Sequence, residues 1–456
     1  MPKVRKGPQT LTARAAPPGL VARTLAAQLV ASVLMEGRPL EQALGEGAAA
    51  PEFAAMAPRD RALARAVAAT VLRRQGELEH VLKAFLERPL PVNKGRLWPI
   101  LLTGAAQLVA LGMPPHAVVD LAVEMTRRDR GARRFAKLVN AVLRRVAERG
   151  PELLRGQDAT RLNVPDWLWR RWSQSYGPEL ARRIGEASLH EAPLDITIKV
   201  GGDSAAAWAE RLGGRLLPTG SVRLTHHGRI ADLPGYGEGA WWVQDAAAAL
   251  VVAAVGNVAG KSVADLCAAP GGKTAALAAG GAKVTAVDVS TARLARLSEN
   301  LARLRLSADV IEADAAHWSP GRTFDVVVLD APCTATGTIR RHPDILRLKR
   351  AQDVARMARL QRAMLAQATT LVGPSGLLVY STCSLEPEEG VMQIANFLKE
   401  RTDFERVPIA AAEIGAEAEW ITAQGELRTL PCYLQQEAEE LSGLDGFYVA
   451  RLRRQP

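Results

Sequence analysis

Apolar side chains recur at i, i+3 and i+4 through the first third of the chain and predict helices over 21–35, 59–75, 78–86, 97–111, 115–127 and 132–149. Gly112, Pro114 and Pro115 interrupt the run. No strand-like alternation occurs here, so an all-α domain is expected over 20–152. Ahead of it lies a tail, 1–19, that is basic and rich in Pro, Thr and Ala without a period. Further on the period shortens. Ile196, Ile198 and Val200, then Val222 and Leu224, alternate as strand residues do, and a small α/β linker domain is expected over 158–236. Within it Trp167, Trp169, Trp172 and Tyr176 cluster on a short helix. Such a cluster can stack bases or pack against a neighbouring domain, and packing is the commoner use.

From 237 to 456 the pattern changes again. Short β-branched runs at 263–267, 284–288, 310–313, 326–330 and 377–380 read as strands, with helical stretches such as 291–304 and 351–371 between them. That rhythm predicts a parallel sheet covered on both faces, and such sheets bind ligands at the carboxyl ends of their strands. The fold class is therefore multidomain: all-α, then a small α/β linker, then a larger α/β domain.

Composition changes little in this picture. The apolar share of 48% and charged share of 23% are ordinary for globular chains. The longest apolar stretch, 100–111, falls short of a bilayer span, and no apolar segment of a secretory signal follows the N-terminus. A cytoplasmic protein with no membrane partner is expected. Charge is more informative. Residues 1–150 hold 24 Lys and Arg against 12 Asp and Glu, whereas the rest of the chain is nearly balanced. A basic first third suits a polyanion-docking module, and it equally suits a merely arginine-rich surface. Cys267, Cys333, Cys383 and Cys432 are dispersed with no C-x-x-C pair, so neither a zinc site nor a disulfide framework is expected. Dispersed thiols are by default inert core residues, and chemistry has to come from their surroundings.

Two kinds of surroundings stand out. The first strand runs into Cys267-Ala268-Ala269-Pro270-Gly271-Gly272-Lys273-Thr274 and then a helix. Glycines at such a turn let backbone N–H groups approach a ligand. A phosphate-binding loop would need glycine where Cys267 stands, and no G-x-G-x-x-G fingerprint is present. Asp288, Asp314 and Asp330 close successive strands. A strand-end Asp is often only a helix cap, but three together with a glycine loop suggest a nucleoside site. The arrangement resembles class I methyltransferases, which bind S-adenosylmethionine on a Rossmann-like sheet.

The second feature is a cysteine just past each of two strand ends, in Asp330-Ala331-Pro332-Cys333 and in Ser381-Thr382-Cys383-Ser384. Cytosine C5 is a poor nucleophile. Addition of a thiolate at C6 makes C5 enamine-like, and an acid near N3, for which Asp330 is placed, disperses the charge that develops in the ring. A second thiol can assist release of the first.

These motifs together resemble the Sun/Fmu family of RNA 5-methylcytosine methyltransferases. Val243-Gln244-Asp245 and Gly446-Phe447 fit as well, and the likeness spans roughly 160–453. The resemblance implies that Cys383 attacks C6 and that Cys333 serves product release. It further implies that Cys267, Ala268, Ala269, Pro270, Gly271, Gly272, Lys273, Asp288, Asp314 and Asp330 bind S-adenosylmethionine, with no metal. The helical domain resembles the NusB-like RNA-binding domain, through 102–111 ahead of Pro115-His116-Ala117 and through Phe135 to Arg145. That fusion resembles the bacterial subgroup acting on a cytosine of 16S ribosomal RNA, which makes that RNA the expected partner. Thr334-Ala335 stands where Ser-Gly is usual, Gly390 where Asn is common, Ile198-Lys199-Val200 where Arg-Val-Asn is frequent, and Cys432 where His is frequent. Other readings are action on another RNA such as tRNA, and a non-catalytic RNA-binding assembly factor.

Overall fold

The computed structural model describes residues 17–91, 94–225 and 228–456. The predicted tail of 1–19, apart from residues 17–19, lies outside the described residues. The chain forms two compact units, Met1–Asn163 and Val164–Pro456.

The first unit is helical. Its main helices are Leu20–Glu36, Leu40–Ala49, Pro58–Arg73, Gln75–Ala84, Leu97–Val109, Pro115–Arg128 and Ala136–Arg155. Leu97–Val109 is apolar on nearly every face, and Ile100, Leu101, Leu102, Ala105 and Ala106 are buried. It is the centre around which the amphipathic helices close. The apolar period passed over Leu40–Ala49 and the short Pro51–Ala54, where Gly and Ala dilute the pattern. Asn163 is fully buried and ties the end of the unit to its interior. Its Oδ1 accepts from the Gly76 and Glu77 N–H groups, and its Nδ2 donates to Glu77. Nine cationic residues on the last two helices and their connection (Arg127, Arg128, Arg130, Arg133, Arg134, Lys137, Arg144, Arg145 and Arg149) are exposed.

The second unit holds two sheets. Strands β1 (Leu194–Ile198), β2 (Gly214–Leu216), β3 (Val222–Leu224) and β4 (Trp241–Val243) form an antiparallel sheet in the order β2-β3-β1-β4. The larger sheet contains β5 (Ser262–Leu266), β6 (Lys283–Asp288), β7 (Asp309–Glu312), β8 (Phe324–Asp330), β9 (Val372–Thr382), β10 (Phe404–Arg406), β11 (Leu427–Arg428) and β12 (Tyr448–Arg454). Its order is β10-β12-β9-β8-β5-β6-β7, with β11 also pairing β12. The five strands from β7 to β9 are parallel. Near-continuous apolar runs in β5, β6 and β8 suit strands buried on both faces, whereas the edge strand β7 is largely exposed.

The sheet is not wholly parallel, however. β12 runs antiparallel against β9 and is itself flanked by antiparallel β10 and β11. Arg451, Arg453 and Arg454 make β12 look like a polar tail in sequence. Yet Tyr448, Val449, Ala450 and Leu452 are fully buried, and Arg451 donates to the Ala254 carbonyl. The connections place β6 and β7 on one side of β5 and β8 and β9 on the other. The strand order therefore reverses at β5 and β8, where open sheets present a crevice at their carboxyl ends.

The tryptophans serve packing. Trp172 is 1% exposed in a cluster with Leu168, Ile184, Ile339, Leu385 and Cys432, and Trp167 and Trp169 pack on its rim. Cys432 is an inert member of that cluster, its thiol pushed up to about 11 by burial.

Candidate active site at the carboxyl edge of the sheet

The parallel register of β8 and β9 sets Asp330 opposite Ser381, so the segments beyond them emerge side by side. Their thiols meet: the Sγ atoms of Cys333 and Cys383 are 3.5 Å apart, within hydrogen-bond reach. Three backbone bonds hold this approach. Ala331 N–H donates to the Ser381 carbonyl at 2.8 Å, Gly337 N–H to the Cys383 carbonyl at 2.9 Å, and Gly446 N–H to the Gly337 carbonyl at 2.8 Å. A Cβ at position 337 would sit 2.1 Å from the Gly446 oxygen, so only glycine permits the contact. Ala335, with φ 59°, occupies a left-handed position that glycine would take without strain.

Lys273, the second residue of the helix after β5, reaches across to β8. Its Nζ donates to Asp330 Oδ2 at 2.7 Å and lies 5.3 Å from the centre of the Phe447 ring. Burial alone would push this ammonium down. The Asp330 carboxylate outweighs it, helped by Asp265 and Cys383, and holds the group above its ordinary value. Ser381 Oγ fixes the other Asp330 oxygen at 2.9 Å. Lys273, Asp330, Ser381, Cys333, Cys383 and Phe447 thus form one constellation.

The hydrogen bond to Cys383, and then burial, push the Cys333 thiol well above its ordinary value. In the contact itself either sulfur can be the donor. Cys267 stands apart from this pair, past β5 at φ 62°, with its thiol pushed up to about 12 by burial and by the Asp330, Asp288 and Asp265 carboxylates.

The remaining predicted residues line the neighbouring strand ends. Ala268 and Ala269 are buried and Pro270 is exposed. Gly271 has φ 103° and caps the helix Gly272–Ala279. Asp288, buried at the end of β6, accepts from the Ala269 N–H at 3.2 Å, the Ser290 N–H at 3.0 Å and the half-exposed Arg293 guanidinium at 2.7 Å. Arg293 lies at the surface, so a hydroxyl-bearing ligand can displace it while Asp288 stays in place. The glycine turn, the helix start and the carboxylates of Asp288 and Asp330 suit a ligand with a diol, a cation and a carboxylate. Asp314 lies just beyond β7, about half exposed, and turns to the Ala316 N–H and His317.

Sequence reasoning passed over Glu389. It is buried six residues beyond Cys383 and bonded to the residues that follow both thiols. The acidic run from Glu386 to Glu389 was the available signal, but in sequence it reads as a solvated turn. Among the described residues no group of His, Cys, Asp and Glu could hold a metal ion, and no helix is long and apolar enough to cross a membrane.

Residues 253–453 match the family model for 16S rRNA methyltransferase RsmB/F, and residues 20–148 match the NusB family. Ribosomal RNA small subunit methyltransferase B of Vibrio cholerae is 38% identical over 419 residues, covering 87% of this chain and 90% of that one. Its namesake from Pasteurella multocida is 33% identical over 454 residues, covering 95% and 96%. Among solved structures, a methyltransferase homolog protein from Pyrococcus horikoshii aligns with TM-score 0.53 and 28% identity over 64% of this chain and 96% of its own. NSun6 from the same organism, solved with SFG, aligns with TM-score 0.52 and 18% identity over 64% and 98%, a likeness of fold.

Proposed function

The chain belongs to the 16S rRNA methyltransferase RsmB/F family, and from that premise we propose that it methylates C5 of a cytidine in 16S ribosomal RNA through a covalent bond between Cys383 and C6 of the base. The observation that carries this reading is the contact of two thiols, 3.5 Å apart, beside the Lys273–Asp330 ion pair.

The glycine turn and the carboxylates of Asp288 and Asp330 would hold S-adenosylmethionine, which would supply an electrophilic methyl group. The chain's own residues do the rest. Cys383 attacks as the thiolate, with the Cys333 S–H donating to it. Bond formation to C6 pushes electron density into the ring. Asp330, fixed by Ser381 and Lys273, keeps the Lys273 ammonium where charge grows at N3 and O2. C5 then carries the nucleophilic electron pair, which would displace a neutral thioether from the sulfonium methyl group. Loss of the C5 proton to solvent and departure of the Cys383 sulfur restore the double bond, and Cys333, in contact with that sulfur, assists the departure. The exposed cations on the last helices of the first unit give the RNA phosphates a docking face.

Bisulfite sequencing of 16S ribosomal RNA from cells with and without the gene tests the reading. One cytosine protected only in the presence of the gene is expected. Identical protection in both strains contradicts it.

A further inference from the structure

Glu389 closes the short 3₁₀ turn Pro387–Glu389 and is 0% exposed. Its carboxylate receives four donors. Oε1 accepts from the Thr334 hydroxyl and from the Ser384 hydroxyl at 2.8 Å. Oε2 accepts from the Thr334 N–H at 2.9 Å and from Gln361 Nε2 at 3.0 Å. Thr334 directly follows Cys333, and Ser384 directly follows Cys383. Gln361 also donates to the carbonyl of Pro332, the residue before Cys333, at 2.9 Å. One buried carboxylate therefore grips both thiol-bearing segments, and the first of them on both sides of its cysteine.

A group that only filled space here would be apolar, since burying a carboxylate carries a desolvation penalty. Burial does push Glu389 above the ordinary carboxylate range despite its four donors. The same geometry accounts for Thr334. The hydroxyl usual at this position is retained, and it serves Glu389 rather than solvent.

We propose that Glu389 is a positioning residue that holds Cys333 and Cys383 in contact, so that attack and release act on the same adduct. The catalytic consequence rests on the function proposed above; the geometric one does not. Glu389 acts through the backbone segments it clamps and does not touch the base. Its charge also lies close enough to help keep Cys333 protonated, after the Cys383 hydrogen bond and burial.

The test uses the full chain with Glu389→Ala, Glu389→Gln and Thr334→Val. Diamide takes two electrons and two protons from a thiol pair and leaves a disulfide. Peptide mass spectrometry then gives the rate at which Cys333 joins Cys383, without any RNA. Glu389→Ala is expected to slow this joining about tenfold, because loosened segments lower the effective concentration of one thiol at the other. Glu389→Gln keeps the shape and most of the bonds and is expected to stay within about threefold of the parent. In methylation assays Glu389→Ala should lower kcat by about tenfold or more with KM for RNA little changed, and Glu389→Gln should recover most of it. If Glu389→Ala loses its cooperative melting transition, Thr334→Val reads the same contact and should slow joining about threefold. Parental joining rates in Glu389→Ala, or in Thr334→Val where the former does not fold, overturn the inference whatever the enzyme methylates. Slowed joining without any methylated cytosine overturns the function and leaves the clamp standing.

Discussion

Cys333 and Cys383 stand 50 residues apart in the chain, yet their sulfurs lie 3.5 Å from each other because β8 and β9 are parallel neighbours that end in register. The contact separates these thiols from Cys267 and Cys432, which burial pushes up to about 12 and about 11.

Thiol labelling should set Cys383 apart from the other three, whose thiols are all pushed up. With iodoacetamide at pH 8 the native protein is expected to take its first label at Cys383, with Cys267, Cys333 and Cys432 at least about tenfold slower, since the thiolate is the reactive form. Peptide mapping over time checks this. Equal labelling of Cys333 and Cys383 contradicts the unequal roles given to them.

Asp265 should make stability depend on pH. It is fully buried in β5, with Oδ2 bonded to the Thr274 hydroxyl at 2.6 Å and Oδ1 without a partner, and burial pushes it up to about 7. Its folded-state value thus lies above the unfolded one. The stability it contributes is full below about pH 4 and is lost as the pH rises through about 7. Asp265→Asn does not ionise and should gain on the parent by about 2 kcal/mol between pH 5 and pH 8. Melting curves at the two pH values read the gain, and a constant difference contradicts it.

The small sheet should depend on a buried ion pair. Asp195 and Arg223, both essentially inaccessible, meet through two bonds of 2.7 Å, and Arg223 also donates to the Leu441 and Gly443 carbonyls. Asp195→Ala leaves that guanidinium charged and underpaired, at a cost of about 3 kcal/mol. Urea unfolding measures it, and a loss below about 1 kcal/mol contradicts it.

Position 390 should reject the asparagine common in the family. A Cβ there would meet Arg428 Nη2 at 2.8 Å and the buried Tyr448 ring at 3.0 Å. Arg428 Nη1 meanwhile donates to the Ser384 carbonyl beside Cys383 at 2.7 Å. Gly390→Asn should cost about 1–2 kcal/mol through overpacking and lower turnover by moving Arg428. An unchanged melting temperature and rate contradict this.

Much of this architecture was legible before the structure. The helices Thr291–Leu304 and Ala351–Leu371 fall where the period placed them, and the strand ends fall where the aspartates and cysteines suggested. Those signals are local. What could not be read depends on pairing across the sheet. Glu389 looks solvated until β8 and β9 bring Thr334 and Ser384 over it. β12 looks like a charged tail until Tyr448, Val449, Ala450 and Leu452 are buried by its pairing with β9. Lys273 was expected as part of a cofactor turn, and only the packing of β5 beside β8 shows its ammonium on Asp330.

The central claim is that Cys383 is the sulfur that bonds the base. It is tested most directly by incubating the Cys333→Ala protein with 16S ribosomal RNA and S-adenosylmethionine, resolving the products on a denaturing gel, and mapping the attached nucleotide by mass spectrometry. The account expects a protein–RNA adduct that survives denaturation, carries its nucleotide on Cys383 and vanishes when Cys383→Ala is added. No adduct, or a nucleotide attached to any other residue, contradicts it.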